Sequence, residues 1–369
     1  MAETIHSVHN YFTLGGSINM ERVKAFLKRK QVVISVQTYL IDALGAMAFG
    51  LFASLLIGTI FGTLGEKTGV VIFTTIAGYA KSATGAALGV SIAYALKAPT
   101  LVLFSAATVG IAGNELGGPV GALVATIIAA ELGKIVSKET PVDILVTPGV
   151  TIISGILAAQ FVGPGVSAFM TAFGNLVKTA TVMQPLFMGI LVSALIGIAL
   201  TLPISSAAIC IMLSLDGLAG GAATAGCCAQ MVGFAVLSFC ENKWGGLLAQ
   251  GLGTSMLQMG NIVRNPRIWL PPTLASAITG PVATCIFHLK MNGAAVASGM
   301  GTCGLVGQIG VYTGWVNDIA EGTKAAITGM DWAGLVLICF ILPAVLSWAI
   351  AIPMRKCGWI KENDLKLDL

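Results

Sequence analysis

Long stretches of the chain, among them residues 43–65, 98–114, 144–177, 179–215, 217–240 and 332–354, contain no Asp, Glu, Lys or Arg. A helix that crosses the hydrocarbon of a bilayer needs about 20 apolar residues, so several of these runs suit one span each and the longest must hold more than one element. Backbone in lipid has to satisfy its own hydrogen bonds, which leaves helices or a closed β-barrel. Barrel strands are short and alternate in polarity; "LFASLLIGTIFGTLG" and "AGLVLICFILPAVLSWAIAIP" do neither. The expected fold class is therefore an all-α polytopic membrane protein. Runs interrupted by one or two charges raise the expectation to about ten transmembrane helices, some of them re-entrant hairpins. Composition agrees, with 56% hydrophobic and 10% charged residues and 46 glycines in 369.

The segments outside these runs set boundaries. Residues 1–30 form a polar N-terminal flank without the apolar centre and cleavage site of a secretory signal. Within it "NMERVKAFLKRKQ" places Val23, Phe26 and Leu27 on one face, with Arg22, Lys24, Lys28, Arg29 and Lys30 around them. It reads either as a helix lying on the membrane surface or as a basic flank that sets topology, and both readings put this end in the cytoplasm. Residues 31–354 form the membrane domain, and 355–369 a tail opened by Arg355 and Lys356, also expected inside. The eight cysteines show no CxxC or Cys/His metal spacing, so they read as small packing residues, and neither a disulfide framework nor a cofactor is implied. The net charge of +4 is carried by the flanks and does not point to nucleic acid.

The chain also resembles itself. "FGLFASLLIG" (49–58) falls on "MGILVSALIG" (188–197), and at the same offset "GYAKSATGAA" (78–87) falls on "GLAGGAATAG" (217–226). Read as a repeat rather than as low-complexity coincidence, residues 40–178 and 179–354 would be two copies about five spans apart, the second inverted. Inverted repeats place a transporter's solute site near the midplane. The register then breaks: "GGPVGALVA" (117–125) best matches "TGPVATCIF" (279–287). The extra residues of the second copy coincide with "ENKWGGLLAQGLGTSMLQMGNIVRNPRIWLPP", residues 241–272.

That stretch gathers Glu241, Asn242, Lys243, Gln250, Gln258, Asn261, Arg264, Asn265 and Arg267 in an otherwise apolar chain. Its five glycines discourage one straight helix, and Pro266, Pro271 and Pro272 break any helix. Non-helical backbone at membrane depth survives only where it is buried in protein or lines a cavity. The expectation is a helical hairpin or broken helix lining a polar cavity, with amides and carboxylates matched to a polyhydroxylated solute and Trp244 or Trp269 stacking on a ring. Glu241 reads alternatively as an interfacial anchor beside Lys243, and the arginines as headgroup anchors. Asn114 and Glu115, in "GNELGGP", are either a second wall of that cavity or a plain extramembrane turn. His288, with Lys290 and Asn292, marks either a hairpin tip near the pathway or a structural histidine.

"FCENKWGGLLAQGLGTSMLQMGNIVRNPRIWLPPTLASAITGPVATCIF", followed by "GMGTCGLVGQIG" (299–310), resembles the membrane-embedded IIC component of the bacterial phosphoenolpyruvate-dependent sugar phosphotransferase system. The likeness extends over residues 31–354 and is nearest to the stand-alone branch that includes perfringolysin-regulator-like proteins. It implies a multi-pass protein of the bacterial plasma membrane, a homodimer in lipid, that binds a sugar or polyol and moves it by an elevator-like mechanism. Separate IIB and IIA proteins would supply the phosphoryl group, since the 369 residues leave no room for fused ones. In glucose-type relatives a hairpin Glu contacts sugar hydroxyls, which makes Glu241 the candidate here, although Cys-Glu-Asn replaces their Thr-Glu-Pro setting. Asn242, Gln258, Asn261 and Asn265 would complete recognition. Two other classes stay open: a membrane-embedded solute sensor or regulator, and an ion-coupled transporter using Asp42, Glu115 or Glu241 as proton carrier.

Overall fold

A helix of 37 residues would be about 55 Å long, nearly twice the hydrocarbon thickness of about 30 Å. The segment Thr100–Val136 escapes this because Gly117 and Gly118 leave helical geometry, Gly118 at φ 60° and ψ −160°. Glycine takes that conformation at little cost, and Pro119 suits the first turn of the helix that follows. The chain reverses there: Gly113 lies against Gly121 and Ala122, and Val102 against Gly133. One continuous helical segment is thus an antiparallel hairpin.

The computed structural model describes residues 25–181 and 183–367. In chain order the main helices are α1 (Gln37–Glu66), α2 (Val71–Ser82), α3 (Thr84–Ala95), α4 (Thr100–Val136), α5 (Asp143–Thr181), α6 (Pro185–Thr201), α7 (Ser206–Met212), α8 (Gly217–Leu237), α9 (Phe239–Leu248), α10 (Leu270–Pro281), α11 (Val306–Ala320) and α12 (Gly329–Lys356). Among the described residues α1, α5, α8 and α12 are each long and apolar enough to cross a membrane, as is α4 taken along both arms of its hairpin, against the ten expected from hydropathy. The other apolar segments are broken into shorter pieces. Of the flank expected to form a surface helix, residues 25–29 are helical, while Arg22, Val23 and Lys24 lie outside the described residues.

Both described chain ends lie on one face, called here the terminal face. Lys134 donates to the carbonyls of Gln31 and Leu96, at 2.9 and 3.0 Å, and the Lys30 ammonium to that of Ser137. From the other end of the chain, Ile360 and Leu365 are buried in the same apolar cluster as Leu96. On the opposite face Asn292 ties the Gly217 amide to the Asp318 carboxylate.

Close helix approach depends on small residues, as expected where lipid offers no hydrophobic drive for association. Gly89 of α3 rests on the Ala106 carbonyl of α4, Gly226 of α8 on the Ser193 carbonyl of α6, and Gly280 of α10 on Gly189 of α6. These contacts also show how the self-similar segments pack. Gly50 faces Ala87 and Gly58 faces Lys81, so α1 runs antiparallel to α2 and α3. Ser193 faces Gly226 and Thr201 bonds Gln230 at 3.2 Å, so α6 runs parallel to α8. Segments aligned at one sequence offset therefore pack in opposite senses, because α6 ends inside the protein and the chain returns through α7 before α8 begins.

Candidate functional site

Three segments enter the protein and stop. From the opposite face, α6 ends at Thr201, and Leu202 and Pro203 turn the chain into α7. Ser205 caps α7, its hydroxyl oxygen accepting from the Ala208 amide at 3.1 Å. From the terminal face, α9 leads into a wide five-residue turn, Ala249–Gly253, and then a single extended residue, Thr254, at φ −158° and ψ 140°. The Thr254 hydroxyl oxygen accepts from the Met256 amide at 3.2 Å. From the opposite face again, Ala295–Ser298 runs into a tight turn in which Gly301, Gly304 and Leu305 all have φ between 51° and 60°, and α11 carries the chain back. Leu305 is the costly member of that set, since a left-handed conformation crowds its Cβ.

The three tips meet. Thr201 and Ser255 share a hydroxyl hydrogen bond of 2.8 Å, and the Ser206 hydroxyl donates to the Gly299 carbonyl at 2.7 Å. Gln230, fully buried on α8, joins the group: its Oε1 accepts from Thr201 at 3.2 Å and from Trp269 Nε1 at 3.0 Å, and its amide donates to Thr273 at 3.1 Å. A buried amide with three such bonds is a rigid spacer between helices. Helix α1 adds a second wide turn at Phe52–Leu56, a type of irregularity common at functional sites.

Between the tips lies a cavity of about 90 Å³, bordered by Phe52, Pro119, Ser205, Thr254, Met300 and Cys303 among others. Pockets that hold small molecules measure roughly 300–1,000 Å³, so the tips as packed leave less room than such a ligand takes. The Ser205 and Thr254 hydroxyls accept from backbone amides, which leaves each proton to be donated to something else. A larger groove, lined by Leu237, Trp244, Trp348 and Arg355, is almost wholly apolar and lies on the lateral surface.

The polar stretch expected to bind solute has a different occupant. Asn242 donates to the Leu365 carbonyl at 2.7 Å and accepts from the Leu367 amide at 2.8 Å. Gln258 donates to the same Leu365 carbonyl at 3.0 Å, Asn261 to the Lys366 carbonyl at 2.8 Å, and Asn265 to the Trp359 carbonyl at 2.9 Å. Five of the expected residues are thus brought together, four of them around the C-terminal tail; the fifth, Glu241, is paired with Arg355 at 3.4 Å. The physical reason is accounting: a tail without regular structure, pressed against protein, needs partners for its backbone groups, and side-chain amides supply them. The remaining three lie elsewhere. Asn114 and Glu115 sit just before the Gly117–Gly118 turn and outside the lining of the cavity. His288, at φ 47°, borders a separate polar pocket of about 210 Å³ with Lys290, Asp318 and Lys324, on the side of the protein where Asn292 holds Gly217.

The residues at the tips, Ser205, Thr254, Met300 and Cys303, were not singled out from sequence as site residues. Their signal was available as Ser, Thr, Gly and Pro clusters inside apolar runs: "LPISS", "GTS" and "GMGTCG". Among the described residues no group of three or more His, Cys, Asp or Glu side chains could hold a metal ion.

No curated protein and no solved structure matches the chain. A family model described as the phosphotransferase system EIIC component does, over residues 41–367. That match takes in all three inward segments, the cavity between them and the tail that the polar stretch holds, and on it the chain belongs to the EIIC family of phosphotransferase-system membrane components.

Proposed function

We propose that this protein binds a sugar or polyol in the cavity between the helix tips and moves it across the bacterial plasma membrane as the IIC component of a phosphotransferase system. One observation carries the reading: helices broken from both faces end against each other around a narrow cavity. Irregular backbone at depth is tolerated where it lines a pathway, and discontinuous helices bracket the solute in many transporters. The free hydroxyl protons of Ser205 and Thr254 suit the oxygen atoms of a polyol, and Phe52 adds an aromatic ring to the same lining.

The chain's own residues then do positioning work. A phosphoryl group arriving from a separate IIB protein, itself charged by IIA, would be attacked in line by a sugar hydroxyl held at the tips. Movement of the segment 249–265 against α8 and α12 would carry the solute in an elevator-like step. The terminal face carries Lys30, Lys138, Arg264, Arg267, Arg355 and Lys356, which supports placing it in the cytoplasm by the excess of basic residues on that side. Exposed apolar side chains such as Phe161 and Phe169 support contact with lipid or with a second copy.

The test is thermal stability of the purified protein against a panel of sugars, polyols and sugar acids, for the wild type and for Ser205→Ala with Thr254→Val. A solute that binds only the folded state adds about 2.7 kcal/mol at a hundredfold excess over its Kd. Stabilisation of the wild type that the double variant loses is the expected result. A panel without one stabilising solute overturns the proposal.

A further inference from the structure

After α12 the chain turns at Gly358, with φ 70°, and runs back under the terminal face. Residues 359–367 are held there as a peptide is held by a receptor. Side chains of one short segment grip their main chain: Asn242 at both the Leu365 carbonyl and the Leu367 amide, Gln258 at Leu365, Asn261 at Lys366 and Asn265 at Trp359. Two side chains of the tail are anchored in apolar pockets, Ile360 at 2% and Leu365 at 0% exposure. Asn265 also donates to the Asp364 carboxylate at 2.8 Å, and the Arg267 guanidinium lies 5.4 Å from the centre of the Trp359 ring. Anchored side chains with a hydrogen-bonded backbone between them are the parts of a peptide-binding groove.

The groove belongs to the same segment that reaches the cavity. Gln258 donates both to the tail and to Gln250, and Thr254 and Ser255, between those two glutamines, form the tip that meets Thr201. The other end of the tail is covalently joined to α12, which is packed on α8 where Ser347 touches Gly233. The tail therefore ties the broken segment to a helix that does not break.

We infer that residues 359–367 are a latch: a peptide ligand carried on the same chain, whose seating in the groove of Asn242, Gln258, Asn261 and Asn265 holds the 254–265 segment in place and keeps the cavity narrow. Release of the tail lets that segment move and widens the cavity, exposing its buried lining. The inference rests on the groove and is independent of which solute the cavity takes.

Cys303 borders the cavity and is buried, which makes it a native reporter. In a background where the exposed Cys240, Cys285 and Cys357 are replaced by Ser, its rate of reaction with a membrane-permeant maleimide is compared in the full chain and in a chain ending at Lys356. The truncated chain is expected to react at least about fivefold faster, the scale of a local opening made easier. A synthetic peptide of residues 358–367 added in trans should slow it again to saturation, and should fail to do so when Asn242→Ala and Asn261→Ala are present. Leu365→Asp in the full-length chain tests the same latch with the tail still attached and should also speed the reaction. Equal rates in the full and truncated chains, or a fast rate that the peptide does not slow, overturn the latch. A failed solute panel would remove the proposed transport site and leave these rates unchanged.

Discussion

The Arg355 guanidinium at the end of α12 lies 3.4 Å from the Glu241 carboxylate in α9 and donates to the Leu237 carbonyl, the last residue of α8, at 2.9 Å. Three helix ends are joined by one side chain. The Glu241 side chain is 7% exposed and its second oxygen is buried without a partner, whereas Arg355 is one-third exposed.

Removing Arg355 strands a buried carboxylate, and removing the carboxylate frees a cation that still reaches water. Arg355→Leu is expected to cost about 1–2 kcal/mol, the buried-pair penalty discounted for solvent at Arg355, and Glu241→Gln clearly less. Thermal unfolding of both variants and their double checks the order. Equal losses would mean that the pair is not the link between these helices.

Lys134 is 1% exposed, pairs with Glu131 at 2.9 Å, and donates to two carbonyls from segments far apart in sequence. Lys134→Met keeps the stem and deletes every donor, leaving Glu131 without its cation. The expected loss is about 3 kcal/mol, within the range for breaking a buried pair from one side. An unfolding temperature unchanged from wild type would refute that role.

Gly226 and Gly149 should respond in opposite ways to the same methyl group. A Cβ at Gly226 would overlap the Ser193 carbonyl, whereas one at Gly149 meets nothing within 4 Å. Gly226→Ala is expected to destabilise by about 1–3 kcal/mol through overpacking, and Gly149→Ala to be neutral or stabilising. The comparison needs two melting curves, and a tolerated Gly226→Ala would mean that α6 and α8 are not in close contact.

Glu139 is held below the ordinary glutamate value of 4.5 by a hydrogen bond from Lys30 and by the nearby charges of Lys30 and Arg29. Because the folded value is the lower one, the stabilisation is complete above the ordinary value and is lost as pH falls through the depressed one. Hydrogen exchange in residues 27–32, corrected for intrinsic rates, should therefore rise on acidification below the ordinary value. Glu139→Gln should show the higher exchange already at neutral pH and no further rise.

The charge-free runs and the glycine content carried the environment and the helical class, since a bilayer accepts few other solutions for a chain so apolar. The breaks were legible too: prolines and glycines in 241–272 pointed to a segment that is not one helix, and it is not. What those residues touch was a different matter. Asn242, Gln258, Asn261 and Asn265 carry amides that would serve a sugar hydroxyl or a peptide carbonyl equally well, because both are acceptors at the same distance. Their partner, residues 359–367, lies about a hundred positions further along, and local pattern does not report a contact of that separation. The cavity escaped notice for the same reason. Its Ser205, Thr254 and Cys303 come from three segments, each unremarkable by itself, that are brought to one point only when three helices stop inside the protein. Sequence determined the solvent and the places where helices had to end; the packing of helix ends against one another decided which polar groups were satisfied by the chain itself and which were left facing a cavity.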